Sequence, residues 1–246
     1  MDFPTTTSSR REKPVIAIDG PAGAGKSTMA AHLARRFGFL NLETGAMYRA
    51  LALKAIESDL GFDDEPGLLE LASRTRIMLE PQLEGNRVFL DGVDVSRRVR
   101  EADVTAGASR VSVHPPLRVW MVDQQRALGA KGGVVMEGRD IGTVVFPDAE
   151  VKIFLDAAPE VRGNRRYRQT APEQQKVTEA ALIEELKDRD ARDRGRRDSP
   201  LKAADDAVVL DSTTMTLDEV LQAAEKLVRE YFGMQDAPDS VQTTAS

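Results

Sequence analysis

Short apolar runs of four or five residues alternate along this chain with longer stretches whose apolar residues recur every three or four positions. Residues 15–18 (Val-Ile-Ala-Ile) form the first compact run, and residues 27–37 follow with a helical pattern. Residues 39–42 predict a second short strand. A helix over 46–56 comes next, with Met47, Leu51 and Ala55 along one face. A helix over 115–128 precedes two β-branched runs at 133–136 and 151–155, and 207–210 is a further strand. Residues 217–232 predict a closing amphipathic helix. Apolar strands alternating with helices predict an α/β fold whose parallel sheet is covered on both faces.

One stretch breaks this rhythm. Residues 77–79 and 87–90 are short strand candidates separated by a polar, Gly- and Pro-containing segment, and Asp91-Gly92 supplies a turn. A small antiparallel unit is therefore expected over residues 67–104, inserted into the α/β core. The two ends, 1–13 and 233–246, are polar and lack useful periodicity, so both are expected to be disordered tails.

Composition narrows the chemistry. With 246 residues, 41% hydrophobic, the chain is long enough for one α/β domain carrying an insertion. It has no cysteine, which excludes disulfides, thiolate metal sites and cysteine nucleophiles. Its two histidines, His32 and His114, lack ligand-like spacing. The formal charge of −6 gives no global attraction to a nucleic-acid backbone, so no nucleic-acid partner is expected. No apolar run approaches the roughly 18 residues of a membrane span, and the polar start lacks a signal-peptide core. A cytoplasmic protein with no membrane partner is expected.

The candidate chemistry begins directly after the first strand. Gly20-Pro21-Ala22-Gly23-Ala24-Gly25-Lys26-Ser27 matches G-x-x-x-x-G-K-[ST], and Thr28 extends it. In such a loop the glycines let backbone N–H groups turn toward phosphate oxygens, the lysine reaches the β- and γ-phosphates, and the serine hydroxyl is placed for Mg²⁺. The following helix turns its positive end toward the same anion. Lys26 and Ser27 are thus the expected phosphate and metal residues, with ATP and Mg²⁺ as co-substrate and cofactor.

The loop alone does not choose among GTPases, motors, helicases and small-molecule kinases. The three asparagines, Asn41, Asn86 and Asn164, do not precede a lysine, so no Asn-Lys-x-Asp guanine reader is present. A compact phosphotransferase needs a second anion site, and the arginines fit. Arg49 follows the second strand in Thr44-Gly45-Ala46-Met47-Tyr48-Arg49, and Arg139 follows another in Glu137-Gly138-Arg139-Asp140. The carboxyl ends of parallel strands face the ligand crevice, and a guanidinium fork suits phosphate. A solvated helix arginine is the plainer alternative for Arg49. Residues 187–198 hold six basic and four acidic side chains. An exposed helix laced with i,i+4 pairs such as Asp188–Arg192 accounts for part of this run. Arg189, Asp193 and Arg196 also fall on one helical face, at i, i+4 and i+7, able to hold phosphate and ribose together.

These motifs, in this order, resemble those of the bacterial cytidylate kinases, part of the nucleoside-monophosphate kinase superfamily. The marks are the loop from Ile18 to Thr28, Thr44 to Arg49, Glu137 to Pro147, the Arg189–Arg196 run and Val209-Leu210-Asp211-Ser212. The resemblance spans residues 15–232. It implies a three-layer P-loop core over 14–232, an inserted monophosphate-binding module over about 43–111, and a mobile lid over about 160–197. It implies phosphoryl transfer from ATP to CMP or dCMP, by a monomer. By motif match, Gly20 to Thr28 hold the ATP phosphates, and Arg165 lies along the adenine. Arg49, Arg139 and Arg196 grip the CMP phosphate and the transferred group, with Thr44 beside them. Arg189 and Asp193 approach the ribose, while Ser109, Arg118 and Asp140 read cytosine. Lys26, Arg139 and Arg196 carry the charge of the reaction, which needs no nucleophile or general base from the protein. Acceptance of the N4 amino hydrogens by Asp140 is chemically apt, since acidic side chains read cytosine in the same way in nucleic acids. For Ser109 the alternative is an ordinary helix-surface serine. Glu43 stands where the family commonly shows aspartate, and Ala22 where relatives often carry serine. A same-fold kinase for UMP or another small acceptor, or an ATP-binding module without catalysis, remains the competing expectation.

Overall fold

The computed structural model describes residues 11–82, 85–169 and 178–233. β1 (Val15–Asp19) runs through the glycine-rich loop into α1 (Lys26–Phe37), and β2 (Leu40–Glu43) leads straight into α2 (Thr44–Glu57). α3 (Glu65–Ser73) is followed by the short strands β3 (Ile77–Pro81), β4 (Asn86–Leu90) and β5 (Val93–Asp94). α4 (Ala102–Val111) and α5 (Pro115–Gly129) return the chain to β6 (Val134–Gly138). A π-helical turn, Ile141–Val145, separates β6 from β7 (Val151–Asp156). α6 (Pro159–Gln169), α7 (Glu179–Arg194), β8 (Val208–Asp211) and α8 (Leu217–Tyr231) complete the described chain.

The main sheet has the order β2-β6-β1-β7-β8 with every pairing parallel. β1 is its central strand and is buried throughout. Its alternate side chains serve two cores, as the period of a strand demands. Val15 and Ala17 join Met47, Leu51, Leu117 and Met121 on the side of α2, α4 and α5. Ile16 and Ile18 pack with Met29, Leu33, Val220 and Val228 of α1 and α8 on the other. This is why β1 reads as an uninterrupted apolar run rather than an alternating one. The carboxyl ends of β1, β2, β6 and β7 deliver Gly20, Thr44, Arg139 and Ala157 to one edge of the sheet.

The expected antiparallel unit is present as β3-β4-β5. Asp91 (φ 50°) and Gly92 (φ 89°) both take left-handed backbone, the two-residue turn whose twist matches a hairpin. Leu79, Val88 and Leu90 join the unit to the core, Asp91 pairs with Lys54 of α2 at 2.7 Å, and Asn86 ties it to β2. The Asn86 amide accepts from the Glu43 N–H at 2.8 Å and donates to the Asn41 carbonyl at 2.6 Å, continuing the backbone pattern at the end of β2.

Three local expectations need correction. Helix α3 begins at Glu65 and α4 spans Ala102–Val111, so helices flank the antiparallel unit that residues 67–104 were expected to form alone. In the charged run, α7 ends at Arg194, where the Gly195 N–H bonds back to Ala191. Arg196 therefore lies beyond the helix rather than at i+7 on its face. No Asp188–Arg192 ion pair forms among the described residues; Lys187 instead reaches Glu184 and Glu160, and Arg194 reaches Asp156. Both side chains are exposed, where hydration competes with pairing.

The N-terminal boundary also shifts. Residues 1–10 and 234–246 lie outside the described residues, but Arg11, assigned to the tail, is anchored. It pairs with Asp148 at 2.6 Å and Glu150 at 3.2 Å, and its guanidinium sits 5.1 Å from the Phe146 ring centroid. Arg11→Ala is expected to cost about 1 kcal/mol, lowering the thermal midpoint by a few degrees with kcat unchanged. Differential scanning fluorimetry beside an activity assay checks this; an unshifted midpoint would show that the anchor contributes nothing.

Candidate active site

The loop from Gly20 to Gly25 is shaped by what surrounds it. Gly20 has φ 148°, and a Cβ there would stand 2.0 Å from the Leu155 carbonyl oxygen, so the loop passes directly over β7. Gly25 (φ 103°) turns the chain into α1, whose first N–H groups have no side-chain cap and are left to an incoming anion. Lys26 lies in this turn, only 6% exposed, and its Nζ donates to the Pro21 carbonyl at 2.7 Å. Burial, with the Arg139 charge beside it, pushes the Lys26 ammonium down to about 7. Ser27 Oγ donates to Glu137 Oε1 at 2.5 Å. Burial raises the Glu137 carboxyl, and the neighbouring Glu43 charge raises it further. Asp19, at the end of β1, accepts the Ile141 and Gly142 N–H groups at 2.8 and 2.7 Å. This links the end of β1 to the turn after Arg139-Asp140, while burial pushes the Asp19 carboxyl up to about 6.

Beside Lys26 opens a cavity of about 210 Å³ lined by six cationic and four acidic side chains. With Lys26 charged, the excess of two positive charges matches a dianionic phosphate. The arginines are held in place by acids. Arg49 pairs with Glu43, Arg139 Nε donates to Asp193 Oδ2 at 2.9 Å, and Arg196 pairs with the other Asp193 oxygen. Burial opposes ionisation of Asp193, but Arg139 and Arg196 outweigh it and hold the carboxyl low. Burial, with Arg139 nearby, pushes the Arg189 guanidinium down to about 10. The Nε groups of Arg49, Arg189 and Arg196 are buried without a partner, as expected of donors that await a ligand.

The far wall of this cavity is different. Arg118 donates to Asp140 Oδ2 at 2.5 Å and to the Ser112 carbonyl at 3.1 Å, with both charged side chains almost fully buried. The Arg118 guanidinium also lies 5.8 Å from the Tyr48 ring centroid, and burial pushes the Tyr48 hydroxyl up to about 12. Ser109 is buried on α4 and its Oγ has no partner. It is therefore a hydroxyl facing a cavity rather than a helix-surface serine. A carboxylate, a guanidinium and a free hydroxyl in one small space present acceptor and donor edges suited to a polar heterocycle.

A second cavity of about 620 Å³ lies across the loop and is lined by residues 22–28 of the loop and α1, Arg165, Met215, Leu217, Val220 and Leu221. Arg165 is pinned there by donating to the Ser212 carbonyl at 2.7 Å and the Ser212 hydroxyl at 3.2 Å. The apolar wall of Met215, Leu217, Val220 and Leu221, with the pinned Arg165 guanidinium beside it, suits a flat aromatic group.

The structure thus sorts the expected residues into two neighbouring spaces that share Lys26, Ser27, Ala22 and Gly23. Thr44, Arg49, Ser109, Arg118, Arg139, Asp140, Arg189, Asp193 and Arg196 line the first. Ala24, Gly25, Thr28 and Arg165 line the second. Gly20 and Pro21 line neither: Gly20 permits the close pass over β7, and Pro21 offers its carbonyl to Lys26. Arg189 borders both cavities. Sequence reasoning passed over Glu137 and Tyr48, although both stand inside the quoted motifs. Glu137 is the penultimate residue of β6, the strand adjacent to β1, where an acid beside the loop serine is a readable signal; the Tyr48–Arg118 contact had none.

A glycine-rich loop at the end of the central parallel strand, followed by a buried lysine and then a serine, and flanked by an arginine-lined cavity, defines a P-loop phosphotransferase. A family model described as cytidylate kinase matches residues 16–230, and the chain belongs to that family. The cytidylate kinase of Geobacter sp. (strain M21) is 46% identical over 222 residues, covering 90% of this chain and 95% of the relative. That of Pelotomaculum thermopropionicum is 49% identical over 210 residues, covering 85% and 93%. That of Aeromonas salmonicida is 45% identical over 220 residues, covering 89% and 96%. Among the described residues no helix is long and apolar enough to cross a membrane.

Proposed function

We propose that this protein transfers the γ-phosphoryl group of ATP to CMP and dCMP, giving ADP with CDP or dCDP. The observation that carries the reading is the buried Asp140–Arg118–Ser109 group at one end of the arginine-lined cavity, with Lys26 and the P-loop at the other. A nucleoside monophosphate laid along this cavity has its phosphate among Arg49, Arg139 and Arg196, its ribose near Arg189 and Asp193, and its base against Asp140. The γ-phosphate of ATP in the second cavity then meets the acceptor phosphate beside Lys26, which lines both spaces.

The chemistry follows from position and charge. An acceptor phosphate oxygen attacks the γ-phosphorus in line, and ADP leaves. Lys26 and the arginines stabilise the charge spread over the transferring group, already desolvated and aimed before the reaction. No side chain is required to remove a proton, because the attacking phosphate is already anionic.

The oxygen donors of Ser27 and Glu137 fit Mg²⁺, which takes few protein ligands and completes its shell with water and phosphate. Held by Ser27 and Glu137, Mg²⁺ would neutralise charge on the ATP phosphates.

A panel of CMP, dCMP, UMP and AMP with Mg-ATP, followed by ADP release, tests the reading. CMP and dCMP are expected to turn over fastest by a wide margin; equal turnover of UMP would overturn the base assignment. A second result concerns pH. Free Lys26 titrates near 7, and anionic phosphates favour its charged form, so ADP binding at pH 7.5–8.5 should take up a proton. ADP affinity should then fall as pH rises from 7 toward the bound-state value. Calorimetry in two buffers of different ionisation enthalpy reads the uptake directly, and a buffer-independent heat would contradict it.

A further inference from the structure

Arg162 is the largest of the fully buried side chains among the described residues, at 1% exposure, and the reaction outlined above does not use it. It stands on α6 and joins three segments. Its Nε donates to the Ala157 carbonyl at 2.8 Å, at the end of β7. Its Nη1 donates to the Ala22 carbonyl of the P-loop at 2.8 Å, and Nη1 and Nη2 both engage Asp190 of α7. A buried ion pair is weak evidence of stabilisation, since apolar residues of similar volume often serve as well. The contact with Ala22 gives it a different purpose.

The described chain contains no cis peptide bond, so the Ala22 carbonyl and the Gly23 N–H lie in one rigid plane and point in opposite directions. With the carbonyl drawn to Arg162, the Gly23 N–H is turned away from α6. Ala22 and Gly23 border both cavities, so an N–H turned away from α6 has the phosphate-binding space within its reach. Gly23 has φ 76°, and glycine alone lets this peptide rotate with little penalty. Without an anchor, a flipped peptide would present the Ala22 oxygen to phosphate and repel it.

We propose that Arg162 is a positioning residue that holds the Ala22–Gly23 peptide so that its N–H donates to the ATP phosphates. This rests on the P-loop's being the ATP site. Only a guanidinium can reach the three acceptors at once, because a lysine ammonium donates from a single point.

Arg162→Lys keeps a positive charge against Asp190 but loses the fork. It should weaken ADP binding by about tenfold or more and lower kcat by about 10–100-fold, with the KM for CMP within about threefold of wild type. Asp190→Asn keeps an acceptor for the guanidinium and should leave ADP affinity within about threefold. The distinguishing readout is the Gly23 amide resonance in ¹H–¹⁵N spectra. Its proton should move downfield on ADP addition in the wild type and move much less in Arg162→Lys. If Asp190→Asn weakens ADP as much as Arg162→Lys does, Arg162 merely braces α7 and the proposal fails. It also fails if Arg162→Lys keeps both the ADP affinity and the Gly23 shift. A wild type that does not bind ADP would instead overturn the donor-site reading. Should Arg162→Lys not fold, the double variant Arg162→Met, Asp190→Leu removes both buried charges and carries the same measurements.

Discussion

Lys26→Met is expected to lower kcat by about 10²–10³-fold while leaving the thermal midpoint at or above that of the wild type. The two halves of this result have separate causes. Lys26 lines both cavities, as does Arg189, and it sits in the loop turn between them, so its ammonium is placed where charge develops between donor and acceptor. Methionine fills nearly the same volume and offers no donor. The stability half follows from burial, which pushes the ammonium down to about 7: the folded protein bears a cost to keep this charge. The sign is that of a depressed base. Below pH 7 the group is charged in both folded and unfolded states and the full cost applies. Between about 7 and its ordinary value near 10.5, the unfolded chain binds more protons, so the wild type gains stability as pH rises. The methionine variant should lack that rise. Single-turnover ADP formation and thermal melts at pH 6.5 and 9 measure both halves. Activity within tenfold of wild type would falsify the assignment of Lys26 to the transferring group.

Asp140→Asn should reduce the preference for CMP over UMP, as a ratio of kcat/KM values, by at least about a hundredfold. Asp140 is buried and presents only acceptors, which suits the amino group of cytosine and opposes the carbonyl of uracil. An asparagine amide adds a donor that can face that carbonyl, so part of the change is a gain for UMP. The substitution also leaves the almost fully buried Arg118 without its counter-charge, which carries a cost to folding of about 3–5 kcal/mol. Selectivity is the appropriate measure because it is a ratio within one protein, and loss of folded enzyme cancels from it. An unchanged ratio would show that Asp140 only holds Arg118. In that case Ser109, whose hydroxyl is buried without a partner, becomes the next residue to test on the same panel.

Much of the core was readable because its signals are local. The apolar run at β1, the glycines that follow and the helix start at Lys26 are neighbours in the chain, and each constrains the backbone of the next. The hairpin turn was readable for the same reason, since Asp91-Gly92 suits left-handed backbone. Helices α3 and α4 were missed because their apolar faces are short and are completed by packing, α4 against α2 and α3 against α5. Arg11 was assigned to a tail because a polar residue beside a disorder-like segment carries no mark of carboxylates that lie 137 and 139 residues further on.

The sequence by itself determined that this protein has a phosphate-binding loop at the end of a parallel strand, and which arginines follow neighbouring strands. Backbone conformation and residue chemistry at close spacing are enough for that. Only the tertiary structure decided how the charges divide among partners. It paired Ser27 with Glu137, Arg118 with Asp140, Arg139 with Asp193 and Arg162 with Ala22 and Asp190. In a chain with so many arginines and acids, several pairings satisfy the same composition. The choice among them is made by which side chains burial brings within hydrogen-bond distance, and which donors it leaves free for a ligand.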